Sequence, residues 1–206
     1  MNESKRLSNR EKILQESVHL FNRHGVVPVT TNHVCKSLGL SPGNLYFHFK
    51  NREAITLELF TRMCEETYAL WKKSLEENAT PVRFIEESLE VFWTYRFFHR
   101  EMYFLRRQDP RLNKLWHLHL QKTRRFMKAA HVRWVKRGWM LPIRNAQALR
   151  SLNDLLLVTA SSFFQFYESS DKPATRRPLL LAQQYMLEFL SPHLSAEYRK
   201  NLTGKN

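Results

Sequence analysis

Only five of the 206 residues are glycine. A chain so poor in glycine can build few tight turns, which argues against a many-stranded sandwich or barrel and for helices. Eight prolines, at 28, 42, 81, 110, 142, 173, 178 and 192, punctuate it, and several bound stretches of helical periodicity. Proline stops or starts helices, so these stretches read as separate helices or pairs of them. No internal repeat accompanies that spacing. The expected fold class is all-α, with about nine helices. Apolar residues make up 43% of the chain, enough to fill a core.

The first helix is expected over 8–24. Ser8 or Asn9 can cap it and Glu11 lies in its first turn. Leu14, Val18 and Phe21 recur at i, i+4, i+7, and Gly25 is placed to end it in a left-handed cap. A connector broken by Pro28 follows. Thr31 can cap a short helix over 32–37, with Val34 and Leu38 inward and Gly39 permitting a turn. Ser41 caps a second short helix, with Pro42 at its first position, where no backbone N–H is missed, and with Leu45 and Phe49 inward. Asn51 caps a longer fourth helix, from Arg52 to about Leu75. Two short helices joined by a glycine-containing turn, behind a supporting helix, form a helix-turn-helix.

Such a motif lays its second helix in the DNA major groove, N-terminal end toward the base edges. Gly43 lets the backbone approach closely. Asn44 offers the paired donor and acceptor that match adenine. Tyr46 and His48 project outward, and Lys50 and Arg52 can reach phosphate. Thr31 and Asn32 open the preceding helix, whose N-terminus favours anions. Phe47 is placed to pack or to touch DNA, in equal measure. Lys5, Arg6 and Arg10 form a basic N-terminal arm, either a backbone contact or a solvated charge run.

The run from Arg10 through Ile13-Leu14, Leu20-Phe21, Gly25, Thr30-Thr31 and Val34-Cys35 to Leu38-Gly39-Leu40-Ser41-Pro42-Gly43-Asn44-Leu45-Tyr46-Phe47-His48-Phe49-Lys50-Asn51-Arg52-Glu53 resembles the DNA-binding domain of the TetR/AcrR-type family of bacterial transcriptional regulators. The likeness covers about the first 55 residues. A second stretch, from Tyr95-Arg96-Phe97-Phe98 to Arg107, Asp109-Pro110 and Leu112, is similar to one TetR branch. The resemblance implies a DNA-binding domain over 1–52 and a helical effector-binding and dimerisation domain over 53–206. It implies a homodimer that presents two such motifs to a palindromic operator. Carried over by position, Thr31 and Asn32 would meet the backbone, and Ser41, Pro42, Gly43 and Asn44 would face the groove. Tyr46, His48, Lys50 and Arg52 would hold phosphate or the groove edge. Cys35 stands where the family usually has alanine and is read as core.

Beyond Pro81 helices are expected over 82–98, 101–107, 111–138, 145–168 and 176–191, with a polar tail over 195–206 that frays. Seven of the thirteen residues over 92–104 are aromatic and lie on every side of the helix, so that segment should be deeply enclosed. As core or as the wall of a ligand cavity, it nominates Phe92, Trp93, Arg96, Phe97, Arg100, Tyr103 and Phe104 as effector-site candidates. The formal net charge of +14 favours polyanionic partners. Residues 96–144 hold 14 Lys and Arg against Glu101 and Asp109, a denser positive field than the net +5 of residues 1–52. An anionic effector with an apolar acyl body, anchored by Arg96 and Arg100, is one expectation from this; a solvated basic face is the other. The last two helices carry uncharged stripes suited to a four-helix dimer seam.

Catalysis and metal binding find no motif. His117 and His119 fall on different faces of a helix, a poor chelate. No glycine-rich phosphate loop, HExxH or GxSxG string occurs, and no cofactor is expected. Two cysteines make no disulfide framework, the start of the chain is polar, and the uncharged stretch 155–167 is too short to span a bilayer. A cytoplasmic protein without membrane association is the expectation. The function expected is a repressor released from operator DNA by a small apolar or amphipathic ligand. The rivals are an activator, or a DNA-binding protein that needs no effector.

Overall fold

The computed structural model describes residues 7–167 and 175–203. Among the described residues ten α-helices follow in order: α1 Asn9–His24, α2 Thr31–Leu38, α3 Pro42–His48, α4 Arg52–Glu76, α5 Pro81–Thr94, α6 Arg96–Gln108, α7 Pro110–Lys136, α8 Ala146–Tyr167, α9 Arg177–Leu190 and α10 Ala196–Thr203. The all-α expectation holds, and among the described residues none of the helices is long and apolar enough to cross a membrane.

Local chemistry sets most of the boundaries. Side chains of Ser8, Ser41, Asn51, Thr80 and Asp109 accept the first free N–H groups of α1, α3, α4, α5 and α7. For α2 the cap is Thr30 rather than Thr31. Its hydroxyl accepts the His33 N–H while His33 Nδ1 accepts the Thr30 N–H, so the two residues satisfy each other. Gly39 ends α2 in the left-handed conformation, at φ 64°. Gly25 ends α1 at φ 84° and ψ 164°, positive but outside the left-handed helical region expected for it.

Two buried clusters organise the packing. The first joins Ile13, Leu14 and Phe21 of α1, Val34 and Leu45 of the motif, and Ile55, Leu59 and Phe60 of α4 to Phe97, Phe98, Met102 and Leu105 of α6. The second lies between α4, α5, α7, α8 and α9, around Trp71, Phe84, Trp134, Leu156, Phe164 and Leu179. Two long helices serve both along their length: α4, whose 25 residues span roughly 37 Å at the usual rise per residue, and the 27-residue α7, with Leu112 in the first cluster and Ala130 and Trp134 in the second. A double ion pair of Arg62 with Glu11, at 2.7 Å to each oxygen, fixes α4 against α1.

Two expectations about helix boundaries need correction. The segment 82–98 is broken at Tyr95, where no glycine or proline warns of it. The break is filled from outside: the buried Asn22 side chain of α1 donates to Thr94 O at 2.8 Å and accepts the Phe97 N–H at 3.1 Å. One amide thus satisfies the last carbonyl of α5 and an early N–H of α6. The tail does not fray throughout either. Residues 196–203 form α10, with Tyr198 buried against Trp139, and Leu194 pairs with Met140 in a short antiparallel bridge.

Candidate DNA-reading surface and effector cavity

The second short helix, α3, is held from below by Leu45, which is fully buried, and by Phe49 at its C-terminal cap. Arg10 lies over the Phe49 ring at 5.2 Å and pairs with Glu58 of α4 at 2.9 Å. This anchoring leaves the opposite face open. Phe47 is 85% exposed and Tyr46 50%, and Asn32, Ser41, Pro42, Gly43 and Lys50 are exposed beside them. Thr31, Asn44 and His48 are half-buried. Nothing lies within 4 Å of where a Gly43 Cβ would stand, so its backbone is open to close approach.

Several of these residues already hold one another. The Tyr46 hydroxyl and Thr31 Oγ1 share a hydrogen bond of 3.3 Å, which ties the N-terminus of α2 to α3. Asn44 Oδ1 accepts from Asn9 Nδ2 of α1 at 3.3 Å. The Ser41 hydroxyl caps α3 by accepting the Asn44 N–H. Arg52 departs from expectation. Its guanidinium donates to the carbonyls of Val26 and Val27, the latter at 2.7 Å, and pairs with Glu53. It braces the α1–α2 connector instead of reaching outward to phosphate. Cys35 is buried in the first core, as read, and burial raises its thiol pKa. Of the basic arm, Arg10 is occupied by Glu58 and Phe49; Lys5 and Arg6 lie outside the described residues.

The effector candidates scatter, and this is the main correction. Phe97 belongs to the first core, edge-on to Phe21 with ring centroids 5.3 Å apart. Arg100 donates to the carbonyls of Phe21 and Asn22, at 2.9 and 2.8 Å, and so caps the C-terminus of α1 with a cation. Arg96 lies on the Trp93 ring at 4.4 Å and donates to Trp93 O. Tyr103 and Phe104 are exposed, at 69% and 45%, because α6 turns that edge to solvent. The aromatic run is therefore not enclosed on every side.

A cavity does exist, in the second cluster, and of the seven candidates only Phe92 lines it. Its free volume is about 60 Å³, within a roughly 690 Å³ space between the walls that is partly open to solvent. Its walls come from α4, α5, α7, α8 and α9, with Trp71, Phe84, His131, Trp134, Asn153 and Met186 among them. Sequence reasoning missed these because no short string carries them: they come from five helices, each contributing along its own inward stripe. Burial lowers the His131 pKa, with the neighbouring His193 a secondary cause, which favours the neutral imidazole.

Besides the Asn22 bridge, two more polar clasps connect the DNA-side helices to α6. One is the Arg100 cap on α1. The other is Glu101, whose two carboxylate oxygens accept the Val26 N–H at 3.0 and 3.1 Å.

Comparison with known proteins fits this architecture. A family model described as "Bacterial regulatory proteins, tetR family" matches residues 13–59, and one described as "Bacterial transcriptional repressor" matches residues 59–202. The regulator QacR of Staphylococcus aureus is 36% identical over 64 residues, which cover 31% of this chain and 34% of that protein. UidR of Escherichia coli is 30% identical over 67 residues, 32% and 34% of the respective chains. The chain spans about a third of the length of these curated relatives. A TetR-family regulator from Marinobacter aquaeolei superposes with a TM-score of 0.81 at 25% identity, over 96% of this chain and 97% of that one. The ketosteroid regulator KstR2 of Mycobacterium tuberculosis shares the fold alone, with a TM-score of 0.67 at 15% identity over 91% and 96%. With models matching contiguously from residue 13 to residue 202, the chain belongs to the TetR family of bacterial regulators.

Proposed function

We propose that this protein is a DNA-binding transcriptional repressor that releases a palindromic operator when a small apolar ligand enters the cavity. The observation that carries the reading is the open face of α3. Phe47 and Tyr46 are large, exposed and mounted on a rigidly anchored helix, an arrangement that folding alone does not require. In this reading Asn44, Gly43, Pro42 and Ser41 face the groove, with Tyr46, Phe47 and His48 along its edge. Thr31, Asn32 and Lys50 meet phosphate. Arg52 positions the connector and makes no DNA contact of its own. Residues 1–52 act as the reader, although the reader's core is completed by α6.

The protein acts as a homodimer through α8 and α9. Leu155 and Val158 of α8, and Leu180 and Tyr185 of α9, are large, apolar or aromatic, and exposed, which suits a helical seam between two copies. The seam sets the distance between two copies of α3, and hence the spacing of the half-sites. An effector that favours a different distance removes the protein from DNA. Full reversal of the bound population needs a preference of about 5 kcal/mol. Both α4 and α6 carry the change. The first reaches from the motif to Trp71 at the cavity; the second clasps α1 and the connector while its buried His99 packs on Phe92 of the cavity wall, with ring centroids 4.6 Å apart.

The test is a titration of the full-length protein against duplex DNA from upstream of its own gene, over a range of salt. Binding to one fragment as a dimer, weakening steeply with salt, supports the reading. A monomer in solution, or equal affinity for every fragment, defeats it.

A further inference from the structure

The walls of the cavity differ in chemistry. On one side stand ring faces. Trp71 stacks on Phe84 with centroids 5.7 Å apart and planes 23° apart, and Trp134 meets Phe84 edge-on at 5.3 Å. On the other side α8 and α9 present aliphatic residues such as Leu152, Leu156 and Leu190.

The polar atoms of the ring wall are already satisfied. Trp71 Nε1 donates to Ser88 Oγ at 2.8 Å, and Ser88 Oγ donates to Phe84 O at 2.6 Å. Trp134 Nε1 donates to Ala79 O at 2.9 Å. These groups offer a ligand carbon surface and nothing else. Two polar side chains remain among the lining residues. His131, only 8% exposed, has its Nδ1 buried with no hydrogen-bond partner in the structure; Asn153 is 5% exposed on the facing helix α8. An unpartnered buried ring nitrogen is costly, and a ligand group that pairs with it recovers that cost on binding.

Among the described residues no Lys, Arg, Asp or Glu lines the cavity. An ion of either sign would lose its hydration there and meet no counter-charge. The surrounding basic field does not change this. The two cations of that field singled out from the sequence, Arg96 and Arg100, are held at Trp93 and at the end of α1.

We propose that the effector is a neutral, flat, ring-containing molecule with one hydrogen-bonding group of phenol or ketone type. Its rings lie between the Trp71–Phe84–Trp134 wall and the leucines of α8, and its polar group pairs with His131 and Asn153. This rests on the reading of the cavity as the effector site, and it replaces the acyl anion with a different ligand class.

Three test compounds of one shape separate the possibilities: β-naphthol, naphthalene and β-naphthoate. Their binding to the full-length protein is followed by quenching of tryptophan fluorescence, since Trp71 and Trp134 line the site. The expected order is β-naphthol first, with β-naphthoate weaker by roughly tenfold or more. H131F should weaken β-naphthol by roughly tenfold, leave naphthalene unchanged, and leave the thermal midpoint of the free protein equal or higher, because it removes the unpartnered nitrogen. N153L is the second variant, with the same selective loss expected. The proposal is overturned if β-naphthoate binds as tightly as β-naphthol, if none of the three binds, or if both variants bind β-naphthol like the parent. A parallel DNA titration keeps the two readings apart. Operator release by β-naphthoate alone sinks the neutral class and leaves the repressor standing. Tight, His131-dependent binding of β-naphthol to a protein that ignores all DNA sinks the repressor and leaves the ligand class standing.

Discussion

Glu101 of α6 grips the backbone of Val26, accepting its N–H on both carboxylate oxygens two residues after the last residue of α1. A Cβ on Gly25 would stand 2.8 Å from Glu101 Oε1, and Gly25 also holds a positive φ of 84°. The glycine thus serves both the turn and the carboxylate's approach. Glu101→Ala should destabilise the fold by about 1–3 kcal/mol, since Val26 is buried and its N–H loses its acceptor. Gly25→Ala should cost a similar amount through strain and crowding. In the double variant the steric part disappears, so the two losses should sum to more than the measured total. Urea unfolding of the four proteins checks this; strict additivity would mean that the two residues do not share one contact.

Lys50 and Arg52 stand two residues apart and should behave oppositely. Lys50→Ala should leave stability within about 0.5 kcal/mol, weaken DNA binding at all sequences, and lower the salt slope by about one. Arg52→Ala should lower the thermal midpoint, because two connector carbonyls lose their donor. Melting curves and anisotropy titrations give the answer, and a stable Arg52→Ala protein would contradict the brace assigned to it.

A charge placed on the α8–α9 face should split the dimer. Val158→Glu or Leu180→Glu alters a side chain that is largely exposed in the single chain, so each variant should fold. Sedimentation should report a monomer and operator affinity should collapse. A dimer that survives both changes would move the seam elsewhere.

Acid should unfold the protein through two buried imidazoles. His119 Nδ1 shares a hydrogen bond with the Tyr68 hydroxyl at 2.9 Å, with Cys64 Sγ at 3.4 Å; burial, with Lys122 second, pushes its pKa down to about 4. His99 packs against Phe92 and Phe164, and burial, with His119 second, pushes it down to about 3. In the unfolded chain both titrate near 6.5. Below that value the unfolded chain binds more protons than the folded one. Stability is therefore full above about pH 7 and falls as pH drops from 6.5 toward 4, by about 2 kcal/mol per ring at pH 5. Urea midpoints across this range should slope accordingly; a flat profile would mean that neither ring is held neutral.

The helices around the DNA-reading motif were legible because short-range chemistry writes them. Ser8, Ser41 with Pro42, Gly39 and Asn51 each sit where a local cap or turn needs them. The break at Tyr95 was illegible for the opposite reason. Its signal is Asn22, more than seventy residues earlier, whose amide does what a glycine or proline would have announced. The scatter of the ligand candidates has the same origin. Arg96 and Arg100 fall one turn apart among aromatics, yet the end of α1 claims Arg100 and Trp93 claims Arg96. Leu45 and Phe49 read as inward from the sequence alone, whereas the outward face of Phe47, 85% exposed, is decided by how α3 sits on α1 and α4. His131 and Asn153 carry no local pattern, because the cavity exists only when α7 and α8 meet.

The pairing of Leu194 with Met140 has a practical side. Leu141 N–H donates to His193 O and Ser195 N–H to Trp139 O, so the end of the chain buttons down the turn that leaves α7. Met140 and Leu190 are themselves lining residues. The segment that leads into α10 therefore closes one side of the chamber, and trimming the chain back to Leu190 would open that side.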